Sequence, residues 1–559
     1  MRSFLPTRTR HSPRETVASA AIRAGLKSWR RAFANRRAKR KPAKAVRELK
    51  IKLRGLGLVE PALEGLRSLE SGATDPKIRR DAAWELALWQ ADGALAENTR
   101  ACLAHLELAA KGETDPERLA EISVIASQCH LLLNDRDSAL SALRKASSSE
   151  RDADLLLAAA NVKEELSPRL RMINQALEAR GSAPVELDET RGPTPYDCLS
   201  PLACEEMRQP VEGLAKVTVI VPAFNAERTL NCALKSLREQ TWTNLEILIS
   251  DDGSTDGTAN IAADHANQDG RVRLIGNVCN QGPYVARNLA LENASGDFVT
   301  CADADDWSHP EKIERQAKDL LKHSNRVANM SSWVRVLEDL RSRRRGNPGF
   351  FIEPNISSLM LRRAQLVRTF GAWDSVRFGA DTELWERIKR LHGKSAVGIL
   401  PELLSFGRLT SQSLTEHPDF GYAGFPSGAR REYRECYLRH HAQASHLRYS
   451  FPMERRPFSV PRPMDADLPS TNGTADDFDL IVASDFRLTS NAVKGIQALE
   501  ECLRNGRRRA ALVQVWRFDM DPETPIDEKV RSFAEYQGIP FLVSGEKAVC
   551  SELLVIDRK

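Results

Sequence analysis

Between residues 216 and 302, short apolar runs alternate with segments of helical spacing. The runs KVTVIVPAF, LEILISD, VRLIGN and DFVTC are predicted to be strands, and the first has the β-branched content of a buried strand. Parallel strands need a helical crossover between them, so this alternation predicts an open, mostly parallel α/β sheet. Ligands of such sheets bind beyond the carboxyl ends of the strands. The side chains that follow these runs are therefore the first candidates for a functional site.

Acidic residues collect at two of these strand ends. Asp251 and Asp252 end one strand, and Asp303, Asp305 and Asp306 follow another. Carboxylate oxygens suit hard divalent cations such as Mg²⁺ or Mn²⁺, and a D-x-D sequence at a strand end directs two carboxylates to the same face. The pattern predicts a cation that relieves the repulsion between the acids and recruits a phosphate-bearing ligand.

Two other interpretations of the second cluster explain less. A calcium loop would need a ligand where Trp307 stands and a glycine for its sharp turn. A helix cap formed by Asp306 or Ser308 accounts for one acidic residue and not for three.

The segments VTVIVPAFNAERTLNCALKSLREQTWTNLEILISDDGSTDGT and NQGPYVARNLALENASGDFVTCADADDWSHPEKIE resemble family 2 glycosyltransferases, which have the GT-A fold. The resemblance covers roughly residues 215–415 and includes several motifs in the family's order. It implies transfer of a sugar from a nucleoside-diphosphate donor. The nucleotide-binding residues that it implies are Pro222, Ala223, Phe224, Asp252, Arg287 and Asp303, and the implied ligands of Mn²⁺ or Mg²⁺ are Asp305 and Asp303.

The same resemblance implies a catalytic base in the segment SVRFGADTELWERIKRLHG. Asp381 occupies the position of the family's aspartate, although Ala380 replaces the usual preceding glutamate and Glu383 lies two residues further on. A carboxylate there can take the proton of an acceptor hydroxyl during attack. The alternative is that Asp381 only caps a helix, and capping is compatible with catalysis.

Further residues in this region are expected to contact the substrates. Trp373 and Asp374 precede the base at the family's spacing and are predicted to line the acceptor site, although Trp373 also suits a hydrophobic core. Arg408 is predicted to contact the diphosphate. Thr410 replaces a histidine that is common in the family, and the lone His417 carries no prediction.

The rest of the chain divides by composition. Residues 1–54 form a basic arm, 55–182 are Ala- and Leu-rich with helix pairs that resemble tetratricopeptide repeats, and 183–214 read as a linker. A transferase domain is predicted over 215–445, a second linker over 446–476, and a partial Rossmann-like α/β domain, similar to one lobe of GT-B transferases, over 477–559. A plain helical bundle is the alternative for 55–182.

The net charge of +5 conceals an asymmetry. Residues 1–54 contain 18 basic and two acidic residues, a net charge of +16. Such an arm is predicted to contact an anionic membrane surface or a protein partner, or to be a solvated tail; no specific nucleic acid is expected. The ten cysteines are scattered and the N-terminus lacks an apolar signal segment, so we expect a cytoplasmic protein, peripheral at the membrane if the arm binds there.

These observations lead to one expected function and two alternatives. The expected function is inverting, metal-assisted transfer of a sugar from a nucleoside-diphosphate donor to a hydroxyl of a glycan or lipid-linked acceptor, in surface polysaccharide synthesis. A UDP-sugar is the expected donor, and thymidine- or guanosine-diphosphate sugars are the alternatives. A nucleotidyltransferase also uses acidic metal ligands, but it normally has a Gly-rich basic loop where this chain has PAFNAERTL. A helical-repeat adaptor carrying an inactive domain is the other alternative, and the presence of Asp252, Asp303, Asp305 and Asp381 argues against it.

Overall fold

A computed structural model describes most of the chain. The described residues are 42–91, 96–144, 146, 151–202, 215–276, 279–344, 349–409, 421, 428–468, 475–504 and 509–556. Most of the basic arm, together with Thr410 and His417, lies outside them, so membrane or partner contact by the arm stays a prediction.

The chain forms two compact units. One comprises Ala87–Ser413 and His441–Arg455; the other comprises the described residues up to Leu86, those between Leu414 and His440, and those from Arg456 onward. The six-part division by composition stays a prediction.

The unit formed by Ala87–Ser413 and His441–Arg455 is built on a ten-stranded sheet. Its strands, together with a small hairpin of β1 and β2, are β1 (Val185–Leu187), β2 (Leu199–Pro201), β3 (Val217–Ala223), β4 (Leu245–Asp251), β5 (Val272–Gly276), β6 (Phe298–Cys301), β7 (Trp307–Ser308), β8 (Ala328–Val336), β9 (Ser342–Arg343), β10 (Ile352–Pro354), β11 (Met360–Arg362) and β12 (Val397–Arg408).

The order of the main path is β5-β4-β3-β6-β11-β8-β12-β7. Strands β5, β4, β3 and β6 are parallel to one another, as the alternating sequence predicts. Strand β11 joins this half to β8 by antiparallel pairing, so the complete sheet is mixed. Every residue of β3 and β4 is buried, because helices cover both faces of a parallel sheet.

The described part of the chain contains the following helices of nine or more residues. They are α1 (Pro42–Arg54), α2 (Val59–Gly72), α3 (Pro76–Ala91), α4 (Ala96–Ala110), α5 (Pro116–Leu132), α6 (Arg136–Arg144), α7 (Asp152–Val162), α8 (Leu166–Ala179), α9 (Leu230–Arg238), α10 (Thr258–Gln268), α11 (Pro283–Glu292), α12 (Lys312–Lys322), α13 (Ala380–His392), α14 (Ala429–Gln443), α15 (Thr489–Arg504) and α16 (Glu528–Gln537). None of these described helices combines the length and apolar character needed to cross a bilayer.

The predicted all-α region is confirmed, and α4–α8 pack within the unit that holds the large sheet. The buried carboxylate of Asp154 on α7 accepts hydrogen bonds from the backbone N–H groups of Phe351 and Ile352 at 2.6 and 3.0 Å. Asn161 exchanges two hydrogen bonds with the backbone of Ser342. The helices therefore pack directly against the strands after β8; their likeness to tetratricopeptide repeats stays a prediction.

The other unit contains the predicted small α/β domain. Strands β13 (Asp476–Ser484), β14 (Ala510–Gln514) and β15 (Ala548–Ile556) are parallel in the order β14-β13-β15, with α15 and α16 as crossovers. Helix α14 is joined to it by ion pairs, including Arg439 with Glu528 at 2.7 Å. Helix α1 is joined to it by Arg47 and Glu523, also at 2.7 Å.

Candidate active site

The carboxyl ends of β3 and β4 are held together by their own loops. The backbone N–H of Asn225 donates to the Ser254 hydroxyl, and the Asn225 side chain accepts from the Thr255 N–H, both at 2.9 Å. Gly253 has a φ of +76°, and a Cβ there would lie 3.1 Å from the Cys279 backbone. Only glycine allows this left-handed turn and close approach without strain, so the loop conformation is set by sequence.

The residues expected to contact the nucleobase lie at this edge. Pro222 and Ala223 are buried at the end of β3, and the next residue, Phe224, is 45% exposed. An exposed aromatic ring at the carboxyl edge of a parallel sheet can stack on a base. Asp252 is buried, and its carboxylate accepts from the N–H groups of Gln281 and Gly282 at 3.1 and 2.7 Å. Asp252 thus fixes the loop that leads into α11.

Helix α11 brings Arg287 to the acidic cluster after β6. The Arg287 guanidinium is buried and donates to Asp303 at 2.9 Å, while about a third of the Asp303 side chain stays exposed. Burial alone would lower the pKa of Arg287, but nearby anionic groups, Asp303 and Asp381 among them, raise it overall. Arg287 therefore stays charged between the predicted metal ligand and the predicted base.

The two other acids of the cluster have raised pKa values. Burial, and after it the neighbouring Asp303 carboxylate, raises the pKa of Asp305 to about 6. Burial and the charges of Asp305 and Asp303 also raise the pKa of Asp306, whose carboxylate accepts from the Arg408 backbone N–H at 3.2 Å. Their proximity makes two full negative charges costly here without a cation.

The acidic cluster fits a divalent cation that is shared with a ligand. Among the described residues, no group of three or more His, Cys, Asp or Glu side chains is arranged to hold a metal by protein ligands alone. Mg²⁺ and Mn²⁺ commonly take one or two carboxylates and complete their coordination with substrate phosphates and water. Asp303 and Asp305 are partly buried and keep some exposed surface, and together with the raised pKa of Asp305 this matches that kind of site.

The pKa of Asp305 predicts how replacing this residue changes stability. The folded protein holds the Asp305 proton up to about pH 6, whereas the unfolded chain releases it near pH 4, so this group's contribution to stability falls as the pH rises between those values. In the presence of chelator, Asp305→Asn should be more stable than wild type at about pH 7, and the difference should disappear by about pH 4. Urea denaturation at both pH values measures this.

The control for that measurement is Asp264→Asn, which changes an exposed carboxylate on α10. It gives the background effect of removing one negative charge. A gain in stability by Asp305→Asn that is equal at both pH values would contradict the prediction.

Asp381 lies in the first turn of α13, as the resemblance predicts. Its Oδ1 accepts from the Thr382 N–H at 2.7 Å, whereas its Oδ2 has only a long contact of 3.5 Å from the Ser357 hydroxyl. The side chain is half-buried. Asp381 interacts electrostatically with Arg287 and with the buried Tyr284, whose ring lies 4.8 Å from the Arg287 guanidinium. One carboxylate oxygen of Asp381 is thus available to a substrate.

Glu383, the other acidic residue of this helix turn, is engaged in ion pairs inside the protein. It is fully buried and pairs with Arg387 Nε and His441 Nε2, each at 2.8 Å. Arg387 also donates to the carbonyl oxygens of Phe370 and Ala372 at 2.9 Å. Asp381 is therefore the acid of this helix turn that a substrate can reach.

Three predicted site residues, Trp373, Asp374 and Arg408, are buried and do not reach the exposed part of the site. Trp373 is buried, and its backbone exchanges two 3.0 Å hydrogen bonds with Asn288. Asp374 is also fully buried. The Arg408 guanidinium is 3% exposed and pairs with Asp197. Acceptor or diphosphate contacts by these three residues stay predictions that require a rearrangement of the observed packing.

Sequence reasoning missed several residues that support the site. Lys312, at the start of α12, is buried, donates to the Ser308 hydroxyl at 3.2 Å and interacts with Asp306 and Asp303. Tyr284 lies beside Arg287 on α11. The sequence signal for Lys312 is a cation six residues after Asp306, whereas nothing in the local pattern marks Tyr284.

Comparison with known proteins identifies the region that contains these residues. Residues 218–379 match the family model described as glycosyl transferase family 2. An uncharacterised glycosyltransferase of Haemophilus influenzae is 39% identical over 107 residues, covering 19% of this chain and 43% of that protein. The putative glycosyltransferase EpsE of Bacillus subtilis is 32% identical over 188 residues, covering 31% of this chain and 66% of that protein.

A third relative has a more specific name. UDP-Glc:alpha-D-GlcNAc-diphosphoundecaprenol beta-1,3-glucosyltransferase WfgD of Escherichia coli is 37% identical over 108 residues, covering 19% of this chain and 42% of that protein. The chain thus spans less than half the length of the Haemophilus and Escherichia relatives. Among solved structures, S. aureus TarS 1–349 in complex with UDP-GlcNAc is 21% identical with a TM-score of 0.30, covering 35% of this chain and 60% of that one.

The family match begins in β3 and ends immediately before α13, so it contains the sheet edge with Asp252, Arg287, Asp303 and Asp305. The sheet of this region is mixed, and its parallel half β5-β4-β3-β6 agrees with the open, mostly parallel α/β fold predicted from the sequence. Residues 218–379 of this chain are a glycosyltransferase family 2 domain.

Proposed function

We propose that this protein transfers a sugar, with inversion at the anomeric carbon, from a UDP-sugar to a hydroxyl of a glycan or lipid-linked acceptor. The observation that carries the proposal is the position of Arg287. It lies 2.9 Å from Asp303 and within electrostatic reach of Asp381, at the carboxyl edge of a family 2 domain. A metal-ligating carboxylate and a candidate base thus flank one buried cation.

Donor binding is assigned to the edge of β3, β4 and β6. Phe224 offers an exposed ring to the base, and the turn at Gly253 lets backbone approach the nucleotide closely. Asp303 and Asp305 would hold Mn²⁺ or Mg²⁺. When bound, that cation would stabilise the negative charge that develops on the leaving diphosphate.

Proton transfer is assigned to Asp381. The Thr382 N–H holds Oδ1, so Oδ2 is the oxygen that would accept the proton of the acceptor hydroxyl as it attacks. A single displacement on the face opposite the leaving group inverts the anomeric centre and needs no covalent enzyme intermediate. Glu383 is excluded from this role by its buried pairs with Arg387 and His441.

The substrate classes are supported by the relatives. The name of WfgD combines a UDP-glucose donor with a diphosphoundecaprenol-linked acceptor. Because that relative matches only 19% of this chain, it supports a UDP-sugar and a lipid-linked or glycan acceptor as classes. Surface polysaccharide synthesis is the process in which such a transfer would occur, and a cytoplasmic location stays a prediction.

A donor screen tests the proposed function. UDP-, GDP- and dTDP-sugars with Mn²⁺ are compared by thermal shift, and UDP release is then measured with and without chelator. We expect stabilisation by UDP-sugars, and UDP release that chelator abolishes and that Asp305→Asn lowers. Asp264→Asn on the surface of α10 is the matched control and should behave as wild type. If no nucleotide stabilises the protein, the adaptor alternative is favoured.

A further inference from the structure

A short segment before the family 2 domain contacts the backbone around the acidic cluster. It comprises residues Thr194–Leu199, which precede the matched region 218–379, and we call it the bracket. Tyr196, in its centre, is fully buried. The Tyr196 hydroxyl donates to the Phe406 carbonyl of β12 and accepts from the Trp307 N–H at 2.9 Å. The carbonyl of Asp305 lies 3.4 Å from the same hydroxyl.

The bracket also holds the side chain of Trp307. The indole N–H donates to the Leu199 carbonyl at 3.2 Å, and the ring packs against Phe406 with 5.6 Å between the ring centroids. Trp307 is 1% exposed and lies two residues after Asp305. Both its backbone and its side chain are therefore bonded to the bracket, which limits how the preceding residues can move.

Arg408 contacts both Tyr196 and Asp197 of the bracket. Its guanidinium lies 4.1 Å from the Tyr196 ring centroid and pairs with the neighbouring Asp197. Asp197 is in turn bonded to the Thr194 hydroxyl at 2.7 Å. The backbone N–H of Arg408 donates to the Asp306 carboxylate at 3.2 Å. The charge of Arg408 is thus engaged with the bracket while its backbone fixes the acid next to Asp305.

We propose that the bracket is a positioning element for the donor site, with Tyr196 as its central positioning residue. This inference rests on the proposed function and adds to it a part of the chain outside the family 2 domain. One buried hydroxyl joins the backbone on either side: Trp307 after the acidic cluster, and Phe406 at the end of β12. Removing that hydroxyl leaves a buried N–H and a buried carbonyl without this partner, so the loop that carries Asp305 would relax to recover hydrogen bonds.

The test compares Mn²⁺ binding by the full-length wild type and Tyr196→Phe. The apparent Kd for Mn²⁺ is measured in saturating UDP by electron paramagnetic resonance of free Mn²⁺, at a temperature where both proteins are folded. Replacing a residue that orients metal ligands without binding the metal itself typically lowers metal affinity by about 10- to 100-fold. We expect Tyr196→Phe to raise the Kd for Mn²⁺ by a factor of that size. UDP-sugar turnover should show a higher KM for Mn²⁺.

Tyr433→Phe is the matched control, since Tyr433 is a buried tyrosine in the other compact unit. It should leave the Kd for Mn²⁺ unchanged. A folded Tyr196→Phe protein with the wild-type Kd overturns the proposal. If Tyr196→Phe does not fold, Asp197→Asn takes its place, because it keeps the side-chain volume while removing the nearer of the two charges that pair with Arg408, the other being Glu338. A raised Kd then supports the bracket, and an unchanged Kd overturns it.

The two proposals fail in different ways. A wild-type protein that binds neither Mn²⁺ nor UDP overturns the proposed function, and the bracket's positioning role with it. Wild-type binding that Tyr196→Phe leaves intact overturns the bracket alone.

Discussion

Asp381→Asn is expected to reduce sugar transfer by about 10²- to 10⁴-fold, the usual contribution of a general base. The amide keeps the size of the side chain but cannot accept the acceptor's proton. Its oxygen can still accept from the Thr382 N–H, which in the wild type donates to Oδ1 at 2.7 Å, so the start of α13 should keep its structure. The turnover number for UDP release in the presence of acceptor measures the effect, and UDP affinity is measured in parallel.

A general base is identified by a variant that lowers the turnover number and leaves the UDP affinity unchanged. UDP affinity should stay near the wild-type value, because Asp381 is not among the residues assigned to the nucleotide. Asp264→Asn provides the control for loss of one carboxylate charge. Loss of UDP binding together with turnover would mean that Asp381 is a structural carboxylate; unchanged turnover would remove it from the mechanism.

Glu383→Ala is expected to lower the free energy of unfolding by about 3 to 5 kcal/mol, because it leaves the buried Arg387 charge without its counter-ion. Both side chains are fully buried, and their N–O distance is 2.8 Å. The remaining partners of Arg387 include the carbonyls of Phe370 and Ala372, which do not neutralise it. Hydrogen exchange of residues 380–392, measured by mass spectrometry, reports on this part of the fold directly.

Glu386→Ala is the matched control on the same helix. Glu386 is half-buried and pairs with Lys389 at 2.6 Å, and partly exposed ion pairs contribute only about 0 to 1 kcal/mol. A Glu383→Ala protein that is as stable as wild type would show that Arg387 finds another compensation. A fully folded Glu383→Ala protein with turnover as low as that of Asp381→Asn would transfer the role of base to Glu383.

The parallel half of the sheet could be predicted from the sequence, because a strand that is buried on both faces consists of a continuous run of apolar residues. Strands β3, β4 and β6 are buried along their whole length and lie where such runs end, whereas the edge strand β5 is mostly exposed. The position of Asp303 and Asp305 beyond β6 follows from the same pattern, since the carboxyl ends of parallel strands share one edge. Arg287 and Asp303, which are both predicted to serve the nucleotide site, pair with each other, and their role there stays a prediction.

Other features depend on contacts between distant parts of the chain, which no local pattern records. Arginine is a residue type that commonly binds phosphate, but the guanidinium of Arg408 pairs with Asp197, which is 211 residues away in sequence. The segment around Tyr196 has the Pro-rich composition of a linker, although Tyr196 is buried against β7 and β12. In both cases the tertiary partner, not the residue type, determines the environment.

The small α/β unit has a consequence for biosynthesis. Arg47 on α1 forms its ion pair with Glu523, 476 residues later. At translation rates of about 5 to 20 residues per second, roughly half a minute to a minute and a half separates the synthesis of these two partners. The residues of Ala87–Ser413 can assemble on the ribosome within that interval, whereas α1 must wait for the segment that contains Glu523. Premature termination would therefore leave α1 of the nascent polypeptide without its ion-pair partner Glu523 and expose this helix to chaperones and proteases.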